Sequence, residues 1–125
     1  MAFSGIALFA KDPEKLASFY EAVLSGTLTR EDGVLCVRNE GTEVLILTIP
    51  AEISESITIT FPPMAREDVA IKPIFEVLQL AHSLAVARSL GGVVTNREFR
   101  FAGFDHIDLT DVEGNVIQLR ARALS

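Results

Sequence analysis

Cysteine, clustered basic residues and long apolar runs are scarce in this sequence, and each shortage excludes a class of protein. The one cysteine, Cys36, has no partner for a disulfide within the chain, and its apolar neighbours indicate a packed core position. The 11 Lys and Arg residues are outnumbered by 17 Asp and Glu residues and form no cluster. The chain therefore lacks the basic face with which proteins bind nucleic acid.

Membrane and secretion signals are also missing. The apolar stretches, such as residues 44–49, end long before the roughly 20 residues that a membrane-spanning helix needs. The first residues carry neither the basic region nor the apolar region of a signal peptide. We therefore expect a cytoplasmic protein with no membrane partner. Its 125 residues predict a single domain with its own hydrophobic core.

The first half of the chain has the pattern of a strand, a helix and three more strands. An apolar strand is predicted at residues 3–10, and Asp12 and Pro13 then supply a helix N-cap and a first-turn proline. Apolar side chains recur at helical spacing from Leu16 to Leu24, before Gly26 ends the helix. Turn signals separate the three strands that follow, at residues 27–30, 34–38 and 43–49.

The same order of elements recurs in the second half. A strand is predicted at residues 69–77 and a helix at 80–90, although Gln79 is not a favoured N-cap. Three more strands are predicted at residues 92–95, 104–109 and 116–121. Gly5 and Lys72 occupy equivalent places 67 residues apart. A repeat of this length that occurs only twice predicts two paired modules and not a solenoid.

The two modules are assigned to residues 1–50 and 68–125, within one domain that covers residues 1–125. The linker between them, residues 51–67, contains prolines and acidic residues, and the alternation at residues 57–61 predicts a short edge strand. Two interpretations of the linker stay open, an ordinary connection or a cover over the mouth of a cavity.

Alternation along the strands predicts two different outward faces, if each strand packs its more apolar face on its module's helix. In module two that outward face is rich in polar side chains: Lys72, Glu76, His106, Asp108, Gln118 and Arg120, with Ile74 among them. In module one it is largely apolar, with Ala7, Phe9, Val44 and Ile46. Two such faces would form a ligand cleft if they met, whereas a single exposed sheet face can equally be solvated.

Two segments at opposite ends of the repeat carry a family pattern. Residues 12–26 contain Asp12, the Phe19-Tyr20 pair and Leu24, and residues 111–119 contain Asp-Val-Glu-Gly-Asn followed by Gln118-Leu119. Together with the duplicated strand order, they resemble the glyoxalase/bleomycin resistance protein/dioxygenase family of the vicinal oxygen chelate superfamily. The resemblance implies an α+β fold in which two βαβββ modules form a curled mixed sheet around a cleft, commonly in a homodimer.

Most members of this superfamily hold a divalent metal that polarises vicinal oxygens of the substrate. By the resemblance, the ligand positions fall on Gly5, Ile46, Lys72 and Gln118, with Thr48 as the nearest polar neighbour of Ile46. Only Gln118 offers a donor atom, and an ammonium at Lys72 repels a dication. We therefore expect no metal cofactor.

The leading hypothesis is a metal-independent protein that binds or sequesters a small organic ligand in the cleft between the modules. Lys72 either offers a cation to an anionic or oxygen-rich ligand or pairs with Glu76 or Asp108. His106 beside Asp108 is either a general base or a structural hydrogen-bonding residue. The predicted cleft residues are Gly5, Ala7, Phe9, Ile46, Thr48, Lys72, Ile74, Glu76, Phe101, His106, Asp108, Gln118 and Arg120.

Two alternatives stay open beside this hypothesis. One is a metal-dependent lyase, isomerase or dioxygenase of the same superfamily, with an unusual metal site at His106 or Gln118. The other is a subunit-interaction domain whose cleft is filled by residues 51–66.

Overall fold

The computed structural model describes residues 1–66 and 69–124. The chain divides into two compact units, of which the first is Met1–Thr58 and the second begins at Ile59. The predicted boundary between linker and module two, at residues 67 and 68, lies outside the described residues, as does residue 125. No helix in the described ranges is long and apolar enough to cross a membrane.

Unit 1 is a four-stranded mixed sheet with a helix between its first two strands. Its elements are β1 (Gly5–Ala10), α1 (Pro13–Val23), β2 (Thr27–Glu31), β3 (Val34–Asn39) and β4 (Thr42–Thr48), followed by a short α2 (Ala51–Ser54). The strand order is β1-β4-β3-β2, with β1 parallel to β4 and antiparallel pairing elsewhere. Helix α1 forms part of the long crossover connection that the parallel strands β1 and β4 need.

Helix α1 begins where its capping residue predicts. The Asp12 carboxylate accepts a hydrogen bond from the Lys15 backbone N–H at 3.2 Å, and Pro13 occupies the first turn. The predicted apolar stripe is buried and includes Leu16, Phe19 and Tyr20, each at most 1% exposed. Local sequence therefore fixes both the start and the buried face of this helix.

Loss of the Asp12 cap is expected to lower the free energy of unfolding by about 1 kcal/mol in an Asp12→Ala variant, because one N–H at the helix start loses its acceptor. Urea denaturation measures the loss. Gln79→Ala is the matched control at the start of the second helix, where the Gln79 side chain makes no capping hydrogen bond within the described residues. An equal loss in both variants would contradict the assignment of the effect to capping.

Unit 2 repeats the same order of elements. It contains β5 (Ile74–Glu76), α3 (Leu80–Ser89), β6 (Val93–Phe101), β7 (Phe104–Thr110) and β8 (Val116–Arg122), in the strand order β5-β8-β7-β6. Strand β5 is parallel to β8, as β1 is to β4. The helices begin at Pro13 and Leu80, 67 residues apart as the repeat predicts. The α+β fold of two βαβββ modules is therefore confirmed.

Three strand predictions need correction. Residues 57–61 form no strand, since their alternation has no ladder to join and Pro62 and Pro63 lack backbone donors. The strand predicted at 69–77 is only three residues long, because the ladder with β8 begins at Ile74. Strand β6 runs on to Phe101, beyond the predicted residues 92–95. The predicted strand is too short because a register shift between Val94 and Glu98 interrupts the alternation of side chains along β6.

Candidate functional site

The polar side chains predicted on module two lie on one face of the unit 2 sheet. Asp108 is opposite Gln118, and His106 is opposite Arg120, in the β7–β8 ladder. Glu76 is also opposite Arg120 in the β5–β8 ladder. Residues opposite each other on paired strands project to the same side of a sheet. We call the resulting set the polar face: Lys72, Glu76, His106, Asp108, Gln118 and Arg120.

A chain of hydrogen bonds connects four residues of the polar face. The Lys72 ammonium donates to Asp108 Oδ2 at 2.6 Å, and the Gln118 amide donates from Nε2 to Asp108 Oδ1 at 2.9 Å. Gln118 Oε1 lies 2.7 Å from His106 Nδ1. The exposed fractions of His106, Asp108 and Gln118 are only 3%, 4% and 5%. Buried polar groups need such partners, so the four side chains hold one another in place.

The charges on this face are paired with one another. Lys72 pairs with Asp108, and Arg120 pairs with Glu76 at 3.1 Å. Of the alternatives for Lys72, the structure thus selects pairing with Asp108 over a free cation or pairing with Glu76. The Arg120 guanidinium also lies 4.0 Å from the ring centroid of Phe104. Its position is therefore fixed by both a carboxylate and an aromatic face.

Aromatic rings surround His106 at the other end of the hydrogen-bond chain. The Phe99 ring stacks on the imidazole, with 4.7 Å between centroids and 10° between planes. Phe101 and Phe104 present edges at 6.5 Å. His106 Nε2 is buried and has no hydrogen-bond partner among the described residues. His106 Nε2 is therefore an unpartnered nitrogen in a side chain surrounded by aromatic rings.

Phe99 belongs to this site and is absent from the predicted set, because the predicted strand ends at residue 95. The alternation of Phe99 and Phe101 was the signal that could have extended the strand. In the β6–β7 ladder Phe99 is opposite His106 and Phe101 is opposite Phe104, so both rings lie on the polar face's side of the sheet.

The predicted face of module one is partly wrong. The β1–β4 register pairs Ile6 with Val44 and Leu8 with Ile46, and Ile46 is 0% exposed. Val44 and Ile46 thus share the buried face with Ile6 and Leu8, and not the face of Ala7 and Phe9. Thr48 is opposite Ala10 on that same side of the sheet, although Thr48 itself is exposed. The physical reason is that β4 is apolar on both faces, so alternation alone does not choose between them.

The other predicted module-one positions, Gly5, Ala7 and Phe9, lie on β1. Ala7 and Phe9 are exposed on a common face of β1. Gly5 has no room for a side chain, because a Cβ there would lie 1.9 Å from the Glu43 carbonyl oxygen. A cleft shared by the two modules stays a prediction.

The residues that the resemblance aligns with metal ligands do not fit a divalent metal. Both Asp108 oxygens and Gln118 Oε1 already take part in hydrogen bonds, and the Lys72 ammonium lies 2.6 Å from Asp108. In the part of the chain that the structure describes, no group of three or more His, Cys, Asp and Glu residues is placed to hold a metal ion. A dication at this face would have to displace Lys72.

Cys36 lies in an environment that does not favour a reactive thiolate. Its side chain is buried in β3, and burial raises the pKa of the thiol, so the nucleophilic thiolate is disfavoured. The core role predicted from its apolar neighbours is consistent with this environment.

Comparison with known proteins identifies the fold. No protein-family model matches the sequence, and no curated protein matches it. A solved glyoxalase/bleomycin resistance protein/dioxygenase family enzyme from Burkholderia phytofirmans is similar with a TM-score of 0.72 at 14% identity, over 96% of this chain and 98% of that chain. A glyoxalase/bleomycin resistance protein from Albidiferax ferrireducens has a TM-score of 0.71 at 18% identity, over 97% and 98%.

A third similar structure contains a metal. It is a mutant of the fosfomycin resistance protein FosX from Listeria monocytogenes, complexed with Mn(II) and dihydroxypropylphosphonic acid. Its TM-score is 0.71 at 17% identity, over 98% of this chain and 91% of that chain. These likenesses show that the chain has the glyoxalase-like fold that the two terminal motifs predicted.

Proposed function

We propose that this protein is a metal-independent member of the glyoxalase/bleomycin resistance protein/dioxygenase family, and that its polar face binds a small organic ligand. The observation that carries the proposal is the hydrogen-bond chain from Lys72 to His106. At one end a built-in cation balances a buried carboxylate, and at the other an unpartnered nitrogen lies beside exposed aromatic rings.

The Lys72 ammonium supports a function that needs no metal ion, because it supplies a positive charge to Asp108. A buried carboxylate is costly unless an opposite charge or several donors compensate it. In this chain the Lys72 ammonium and the Gln118 amide supply that compensation to Asp108. The Lys72 side chain thus occupies the space beside Asp108 Oδ2 that an ion bound to this oxygen would need.

The composition of the surrounding surface supports ligand binding. Three apolar side chains on the same side of the sheet are substantially exposed: Ile74 at 53%, Phe99 at 48% and Phe101 at 66%. Small-molecule sites typically combine such apolar surface with a few fixed polar groups. Here the fixed polar group is the imidazole of His106.

Thermal unfolding against a panel of small organic molecules tests the proposal. A ligand present at about 100 times its dissociation constant is expected to add about 2.7 kcal/mol to the free energy of unfolding. The stabilisation should be the same with and without a chelator, and purified protein should retain no stoichiometric metal after dialysis. Stoichiometric manganese, iron, nickel or zinc, or stabilisation that requires added metal, would instead support the metal-dependent enzyme.

A further inference from the structure

We infer that His106 recognises its ligand as a hydrogen-bond acceptor, through Nε2, and that the ligand is an uncharged molecule with an N–H or O–H group on a flat apolar ring. The inference rests on the proposed function of the polar face and specifies what that face binds. It follows from the direction of each hydrogen bond between Lys72 and His106.

The Asp108 carboxylate determines the donor and the acceptor in each of these hydrogen bonds. An ionised carboxylate only accepts hydrogen bonds, and the two oxygens of Asp108 accept from the Lys72 ammonium and the Gln118 amide. Gln118 must therefore present its NH2 group to Asp108. Its carbonyl oxygen, Oε1, is consequently the atom that lies 2.7 Å from His106 Nδ1.

The amide orientation in turn selects the tautomer of His106. Because Gln118 Oε1 is an acceptor, Nδ1 must carry the proton and donate it. A neutral imidazole has only one N–H, so the lone pair is on Nε2.

The lone pair of Nε2 needs a donor that this face does not supply. A buried acceptor without a partner costs free energy that a ligand N–H or O–H group recovers. A metal ion is the other species that binds such a lone pair. The described residues contain no group of three or more His, Cys, Asp and Glu side chains that could hold such an ion, so an N–H or O–H group fits better.

The neighbouring side chains specify the rest of the ligand. Phe99 and Phe101 offer exposed aromatic surface on the same side of the sheet as the imidazole, and such surface favours a flat apolar ring. Within the polar face, the Lys72–Asp108 and Arg120–Glu76 pairs balance two cations against two anions. An uncharged ligand therefore suits the site. Half-exposed rings change rotamer rapidly, so movement of Phe99 or Phe101 can open Nε2.

Nitrogen NMR of the unliganded wild-type protein tests the tautomer directly. In mildly alkaline solution we expect the Nδ1 resonance of His106 to be that of a protonated nitrogen and the Nε2 resonance that of an unprotonated one. The opposite assignment, or a mixture of both tautomers, overturns the inference. This measurement requires neither a ligand nor a variant.

Indole and N-methylindole form a matched pair of probes for the ligand. They share a flat apolar ring system, but only indole has an N–H donor. The protein contains no tryptophan, so indole fluorescence reports binding without interference from that residue. We expect indole to bind at least about tenfold more tightly, which corresponds to one recovered hydrogen bond of about 1.4 kcal/mol.

A pair of histidine variants completes the experiment. His106→Phe keeps a ring beside Phe99 but removes Nε2, and it should abolish the preference for indole. His82→Phe, on the exposed side of α3, is the matched control and should keep the preference. Equal binding of both probes to the wild type overturns the inference but leaves the proposed function standing. Failure of both probes also overturns it, while the ligand panel tests the proposed function separately.

Discussion

Replacing Gly5 with alanine is expected to lower the free energy of unfolding by about 3 kcal/mol or more, at the upper end of what overpacking costs. Gly5 is opposite Glu43 in the parallel β1–β4 pair. An added Cβ would lie 1.9 Å from the Glu43 carbonyl oxygen and 2.9 Å from its nitrogen. Both atoms are backbone, so the strand itself must shift to relieve the overlap. Urea denaturation of purified protein measures the loss.

Gly41→Ala provides the control for this prediction. Gly41 has a φ of +85°, and a Cβ added there would meet no atom of the described residues within 4 Å. Its substitution carries only the backbone cost of a left-handed conformation, about 1–2 kcal/mol. If the two alanine variants lose the same stability, close contact with Glu43 is not the reason that position 5 needs glycine.

The Gly5 contact also bears on the proposed function. By the resemblance, position 5 is where the family places its first metal ligand. A side chain there would overlap β4 before it could reach any ion. A single substitution of Gly5 by histidine should therefore destabilise unit 1 and not restore a ligand.

Local sequence signals predicted much of the fold and of the candidate site. Asp12 and the apolar stripe gave the start and the buried face of α1, because capping and periodicity act within a few residues. Alternation along β7 and β8 placed His106, Asp108 and Gln118 on one face before any pairing was known. Each of these signals is contained within a single element.

The errors arose where the outcome depends on residues far apart in the chain. Val44 and Ile46 compete with Leu45 and Leu47 for the buried face of β4, and the register with β1 decides between them. Phe99 was missed because a register shift in β6 hides the alternation around it. The partner of Lys72 is Asp108, 36 residues away, and only the paired strands bring them together.

The second large effect is expected at the Lys72–Asp108 pair. Lys72→Met should lower the free energy of unfolding by about 2–3 kcal/mol, because it leaves the Asp108 carboxylate buried with only the Gln118 amide as a partner. This is below the 3–5 kcal/mol typical of fully buried pairs, since the Lys72 side chain is 41% exposed. Adding Asp108→Asn removes the uncompensated charge and should recover most of the loss.

A double-mutant cycle over Lys72→Met and Asp108→Asn measures this coupling, with urea denaturation of all four proteins. The surface pair Glu14–Arg30 is the matched control, since its side chains are 60% and 59% exposed. The cycle over Glu14→Gln and Arg30→Met should give a coupling below about 1 kcal/mol. If the Lys72–Asp108 coupling is equally small, Lys72 does not compensate the buried carboxylate. Metal independence would then lose its physical basis, because Asp108 would need another cation.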